Sequence, residues 1–275
     1  MIRFSNCKIN IGLYVTEKRP DGYHNLETVF FPLPLYDVIE LIDAPQTDIT
    51  VMGQSIPGSS ENNIIIKAWN LLKKDFPDLP PVHFYLLKNI PAGAGLGAGS
   101  ANGAYTLSAL NQKYSLGLTE TQLLYYALQL GSDCPFFILN QPSLATGRGE
   151  LFQKVKVDLT HYEIVIVNPG IHISTPWAFS QLGPHTETVS LEEYIKKPIG
   201  TWKETIRNDF EQVIFNAYPE IAAIKHELYR SGAIFAAMSG SGSTIYGIFE
   251  KSSTVRLKFP VAYFVKQLNL QSGYI

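Results

Sequence analysis

Four glycines alternate with small or apolar residues in the segment Pro91-Ala92-Gly93-Ala94-Gly95-Leu96-Gly97-Ala98-Gly99-Ser100-Ala101. Glycine adopts positive φ without steric cost and lets backbone approach a ligand closely. Periodicity predicts a strand before this segment and a helix from Ser100 after it. A helix start directs unpaired N–H groups and the positive end of its dipole at whatever occupies the loop. That arrangement suits a di- or triphosphate. No Lys-Ser/Thr pair follows, so the loop is not of the Walker type, and no acidic residue on a following strand marks a dinucleotide ribose. Read alone, the loop also fits a glycine-rich turn that permits close packing. A second such segment, Ser239-Gly240-Ser241-Gly242, lies between two predicted strands. Its N–H groups fit a diphosphate, and its composition equally fits a hairpin turn. Asp133, in GSDCPFF, stands at a predicted helix start, where the dipole favours the carboxylate form. Capping and general-base chemistry are both open to it.

The elements that must position these groups follow from pattern. Residues 8–16 alternate as a strand, EKRPDGYHN forms a turn around Pro20, Asp21 and Gly22, and residues 26–42 return as a strand broken by Pro32 and Pro34. The hairpin tip carries Tyr23 and His24. Helical spacing appears over 61–76, and residues 82–88 alternate as a strand. Thr119 and Gln122 form a capping box opening a helix to Leu130, which Gly131 ends. Ser132 and Pro135 fit the cap and first turn of a short helix through Leu139. Residues 163–167 read as a buried strand, 174–176 as a helix start, 190–196, 203–216 and 219–231 as helices, and 233–238 and 243–249 as strands. The mixture is α+β, divided near residue 150 into segments 1–150 and 151–275.

Composition limits the function classes. Hydrophobic residues make up 45% and charged residues 17% of 275, a globular balance. The net charge of −2 provides no general attraction to nucleic acid or anionic membrane. Phosphate binding must therefore come from local geometry. No apolar run reaches membrane-spanning length and no targeting segment is visible at the N-terminus. The two cysteines, Cys7 and Cys134, form neither a disulfide framework nor a metal spacing. The expectation is a cytoplasmic protein with free thiols.

Lys8-Ile9-Asn10, the Pro91–Ser100 loop and Ser239–Gly242, in this order, resemble the signature segments of the GHMP kinases. KINIGLYV, KRPDGYHNLETVF and GSDCPFF extend the resemblance over nearly the whole chain. They are most similar to members whose acceptor is diphosphocytidyl methylerythritol, an intermediate of non-mevalonate isoprenoid synthesis. Ala101 stands where the family usually has a second serine, and Cys7 where alanine is common.

The resemblance implies a two-domain GHMP-kinase architecture with the active site in the cleft between domains. Residues 1–150 would form the ATP-binding domain, and 151–275 a C-terminal domain contributing to the substrate site. It implies phosphorylation of an acceptor hydroxyl by ATP with Mg²⁺, and no nucleic-acid or membrane partner. Asp133 becomes the base that takes the hydroxyl proton, and Lys8 its partner, keeping it ionised and reaching the γ-phosphate. Pro91 to Ala101 would cradle ATP, with Ser100 donating to a phosphate or touching Mg²⁺. Lys88 is a weaker nucleotide contact. Tyr23, His24 and Phe179 would surround the cytosine, and Asn10, sharing a strand face with Lys8, would bond the erythritol part. Ser239, Gly240, Ser241 and Gly242 would bind the substrate diphosphate or lie beside ATP. Three rivals stand beside this reading. A mevalonate- or homoserine-type kinase would have no use for an aromatic clamp. A nucleic-acid-binding module requires a basic face. A degenerate kinase conflicts with the presence of both Lys8 and Asp133.

Overall fold

Two long strands open the chain in the computed structural model, which describes residues 1–56, 58–183, 190–251 and 257–270. Strand β1 (Ile2–Lys18) turns at Arg19–Tyr23 into β2 (His24–Asp43). Gly22, at φ +85°, makes the turn possible. Asp21 holds it by pairing with Arg19 at 2.9 Å and accepting the Tyr23 N–H at 3.1 Å. Strand β2 is not broken at Pro32 and Pro34. Both prolines fall between the stretch paired to β5 (Ser143–Thr146) and the stretch paired to β4 (Val82–Lys88), where a missing N–H does least harm.

The chain forms two compact units that interleave rather than divide once at residue 150. One comprises Met1–Cys7, Leu35–Ala92 and Gly97–Asn140; the other comprises Lys8–Pro34, Gly93–Leu96 and Gln141–Ile275. Strands of 17 and 20 residues take different partners along their length, so β1 and β2 contribute to both.

In the first unit, β3 (Asp48–Gly53) lies parallel to β4, and β4 pairs antiparallel with β2 from Val38–Leu87 to Asp43–Val82. Helix α1 (Ile64–Asp75) starts later than the pattern predicts, because the Asn63 side chain caps it by accepting the Ile65 N–H at 3.0 Å. Helix α2 (Ala98–Lys113) buries residues on several faces, as a central helix must. A Cβ at Gly103 would lie 2.9 Å from Ile64 Cγ1 and 3.2 Å from Leu130 Cδ1, so a small residue is required there. Helix α3 (Glu120–Leu130) has the expected capping box and ends at Gly131. Helix α4 (Cys134–Leu139) is headed by Asp133 rather than Ser132.

In the second unit, β5 pairs with β2 at Thr28–Phe30 and with β6 (Leu151–Lys154). Strand β7 (Tyr162–Asn168) is followed by α5 (Thr175–Ser180), α6 (Leu191–Ile195), α7 (Trp202–Thr205), α8 (Phe210–Ala217), α9 (Pro219–Arg230), β8 (Phe235–Met238), β9 (Ile245–Glu250) and β10 (Phe264–Asn269). An antiparallel sheet runs in the order β10-β7-β9-β8. Its core gathers Val165, Val167, Phe210, Ile214, Ile224, Leu228 and Met238, with Phe179 packed at the margin. The single helix expected over 203–216 splits into α7 and α8. Residues between them serve β1 instead: Leu13 N–H donates to Arg207 O at 2.9 Å, and Asp209 N–H to Leu13 O at 2.8 Å. Among the described residues, no helix is long and apolar enough to cross a membrane.

Candidate active site

The glycine loop has the predicted backbone. Gly93, Gly95 and Gly97 sit at φ +64°, +79° and +66°, a region costly for other residues. Helix α2 begins at Ala98, two residues earlier than Ser100, with Gly97 as a cap that provides no side chain. The first helical bond is Ala101 N–H to Gly97 O at 2.9 Å. This leaves the N–H groups of Ala98, Gly99 and Ser100 at the positive helix end for an anion. Gly99 is exposed, and a Cβ added there would meet nothing within 4 Å. Ala101 is fully buried, so its side chain belongs to the core.

Lys88 is not a phosphate ligand in this arrangement. Its ammonium lies 2.6 Å from Asp37, with both side chains essentially inaccessible. Burial pulls its pKa down while Asp37 opposes that shift. Asp37 went unrecognised in the sequence. The available signal was a carboxylate amid the apolar residues of β2 and a cation closing apolar β4; such charges are buried only when paired.

Ser100 and Asp133, both in the first unit, meet around Cys134. The Cys134 thiol is hydrogen-bonded with the Ser100 hydroxyl and lies in the field of the Asp133 charge. Burial is the main reason its pKa is pushed up to about 12, which makes it an inert thiol rather than a nucleophile. Asp133 occupies the position before α4 with helical torsions and makes no capping bond through its side chain.

In the second unit, Lys8 and Asn10 share a strand face as their spacing predicts. Lys8 Nζ donates to Asn10 Oδ1 at 2.6 Å and lies 4.5 Å from the centre of the Phe30 ring. Asn10 Nδ2 donates to Thr28 Oγ1 at 2.9 Å, and Thr28 donates to Gly12 O at 2.5 Å. The Asn10 N–H reaches Ser239 Oγ at 3.2 Å, and that hydroxyl donates to Gly95 O at 2.8 Å. Thr244 N–H donates to Ala94 O at 3.3 Å. The Ser239–Gly242 segment is thus a hairpin connection and also a brace for residues 94 and 95. Asn208 and Glu211, which pattern did not single out, hold its entry. Asn208 Nδ2 donates to Met238 O and Gly240 O at 2.8 Å each, and Glu211 accepts the Met238 N–H at 2.8 Å.

The aromatic residues are arranged differently from a three-sided cage. His24 stacks on Phe179 with ring centres 4.9 Å apart and planes 18° from parallel. Phe179 also meets the Phe210 ring edge-on at 4.9 Å. A base between two rings requires about 3.5 Å on each side, so none fits between His24 and Phe179 in this arrangement. Tyr23 is 57% exposed, and its ring faces the Arg148 guanidinium at 5.1 Å. Burial and the Lys18 charge lower the His24 pKa, favouring the neutral ring with one donor and one acceptor nitrogen.

Residues 63–141 match the N-terminal domain of the GHMP kinases, and residues 191–260 match their C-terminal domain. The protein is an ATP-dependent small-molecule kinase of the GHMP class. The fold is similar to a crystal structure of 4-(cytidine 5′-diphospho)-2C-methyl-D-erythritol kinase, with TM-score 0.78, 29% identity and 90% of each chain covered. Mevalonate kinase from Methanococcus jannaschii, at TM-score 0.67 and 14% identity over 98% of each chain, shares the fold alone. The chain is 48% identical to 4-diphosphocytidyl-2-C-methyl-D-erythritol kinase from Bacteroides thetaiotaomicron, covering 93% of this chain and 94% of that one. It is 46% identical to the Parabacteroides distasonis protein of the same name, covering 91% and 92%. The chain belongs to the 4-diphosphocytidyl-2-C-methyl-D-erythritol kinase family.

Proposed function

We propose that the protein transfers the γ-phosphoryl group of ATP to a hydroxyl of 4-diphosphocytidyl-2-C-methyl-D-erythritol. The observation that carries this reading is 48% identity, over 93% of this chain, to a kinase named for that substrate, in a chain that carries the aromatic residues Tyr23, His24 and Phe179. Mevalonate- and homoserine-type acceptors have no base for such rings to read. ATP belongs with the N-terminal part, where the uncapped start of α2 receives its phosphates. The acceptor's cytidyl end belongs with the aromatic residues, Tyr23 included. Phosphoryl transfer needs alignment, charge neutralisation and a group that takes the hydroxyl proton. Asp133 takes that proton, and the Lys8 ammonium, oriented by Asn10, offsets charge on the transferring group. Asn10 and the Ser239–Gly242 backbone hold the acceptor.

Among the described residues there is no cluster of three His, Cys, Asp or Glu that would hold a metal unaided. Mg²⁺ is commonly carried by substrate phosphates with few protein ligands. The Ser100 hydroxyl would assist in holding it, and the ion would neutralise phosphate charge. A requirement for ATP supports a cytoplasmic location.

A coupled ADP-release assay offering the diphosphocytidyl acceptor, mevalonate and homoserine tests the reading; turnover of mevalonate or homoserine alone would overturn it. Phe179→Ala is expected to raise the acceptor KM and leave the ATP KM within about twofold. Stacking on a base is worth roughly 1–3 kcal/mol. Tyr23→Ala should act in the same direction, and His24→Ala should relax the preference for cytidine over uridine analogues. If CDP and CMP do not compete with the acceptor, the protein has no cytidine pocket.

A further inference from the structure

Both ends of the glycine loop converge on one buried carboxylate. Asp37 Oδ1 accepts the N–H groups of Asn89 at 2.8 Å and Ile90 at 3.0 Å, the two residues that lead from β4 into Pro91. Asp37 Oδ2 accepts Asn102 Nδ2 at 3.1 Å, from the start of α2 on the far side of the loop in sequence. Lys88 Nζ completes the set at 2.6 Å and also donates to Ile90 O at 2.6 Å. Asn102 Nδ2 lies 3.1 Å from Ser5 Oγ as well, which fixes its amide.

A buried ion pair is a poor device for stability alone, since well-packed apolar residues of the same volume often do as well or better. What this pair does that apolar residues would not is bind two consecutive backbone amides and a helix side chain at fixed directions. We infer that Asp37, with Lys88 and Asn102, is a positioning group for nucleotide binding: it sets the entry of the loop and the first turns of α2 in one fixed relation. Lys88 acts through Asp37 and not by touching phosphate. This rests on the ATP-dependent reading above.

The test is titration of Asn102→Ala and Asp37→Asn with trinitrophenyl-ATP and separately with CDP, alongside thermal unfolding. Each variant is expected to bind the ATP analogue roughly three- to tenfold more weakly, the scale of one hydrogen bond. CDP affinity should stay within about twofold. The double variant should resemble Asp37→Asn alone, because both changes cut one network. A folded variant with lower melting temperature but unchanged affinity for the ATP analogue would make the network structural only and overturn the inference. Should Asp37→Asn fail to fold, Asn102→Ala decides, since alanine is well suited to a helix. If the parent protein binds CDP but not the ATP analogue, the kinase reading falls and this inference with it. Unchanged binding in the variants of an ATP-binding parent overturns this inference alone.

Discussion

Asp133→Asn is expected to lower kcat by ~10²–10⁴-fold, the usual contribution of a positioned general base. The KM values for ATP and acceptor should move only a few-fold. Asparagine is chosen because it caps helices as well as aspartate does. If Asp133 were only the residue before α4, the substitution would be silent. The measurement is steady-state ADP release with both substrates varied, with a melting curve to confirm folding. Turnover within a few-fold of the parent would remove Asp133 from the chemistry. A rise in both KM values at constant kcat would instead make it a binding group.

The second large effect is expected at Gly95, and Gly99 is its control. A Cβ at Gly95 would collide with the Ser239 carbonyl oxygen and lie 3.0 Å from its carbonyl carbon and 3.1 Å from Gly242 O. Its φ of +79° adds strain on the order of 1–3 kcal/mol for a residue with a side chain. These three nearest obstacles are all backbone and cannot swing aside as a side chain would. Gly95→Ala must therefore push the glycine loop and the Ser239–Gly242 segment apart. Loss of melting temperature together with a fall of at least about tenfold in kcat/KM for ATP is the expected result. Gly99→Ala should behave in the opposite way toward stability. Gly99 lies inside α2 with open space around it, and alanine in place of glycine in a helix stabilises by roughly 0.5–1 kcal/mol. That open space is where the reading places phosphate, so ATP should bind more weakly to a protein that melts higher. A Gly99→Ala variant that is more stable and binds ATP as before would locate the phosphates elsewhere.

Several features of this protein are determined by residues close together in the chain. The left-handed backbone of Gly93, Gly95 and Gly97 follows from glycine's freedom and the intervening residues. The Thr119–Gln122 capping box closes within one helical turn. Lys8 and Asn10 share a face because strands have a period of two. Segment-level resemblance was enough to point to the kinase family and to the acceptor.

Other features depended on partners far apart in sequence. The Asp37–Lys88 bond spans 51 positions, and the Ser239–Gly95 bond spans 144. No local pattern reports such a pairing; before folding, Lys88 reads like any lysine at a strand end. Pro32 and Pro34 read as strand breakers, and only the pairing of β2 with β4 and β5 on either side shows why they are tolerated. The helical pattern over 203–216 was real, yet Leu13 draws residues 207–209 into bonds with β1, and that tertiary gain overrides local propensity. The short strands β3, β5, β6 and β10 were not read from the sequence, since four to six residues carry little periodicity and are defined by their neighbours. The interleaving of the two units has the same origin. A strand long enough to meet several partners belongs to each of them, and its sequence alone does not say where one partner ends and the next begins.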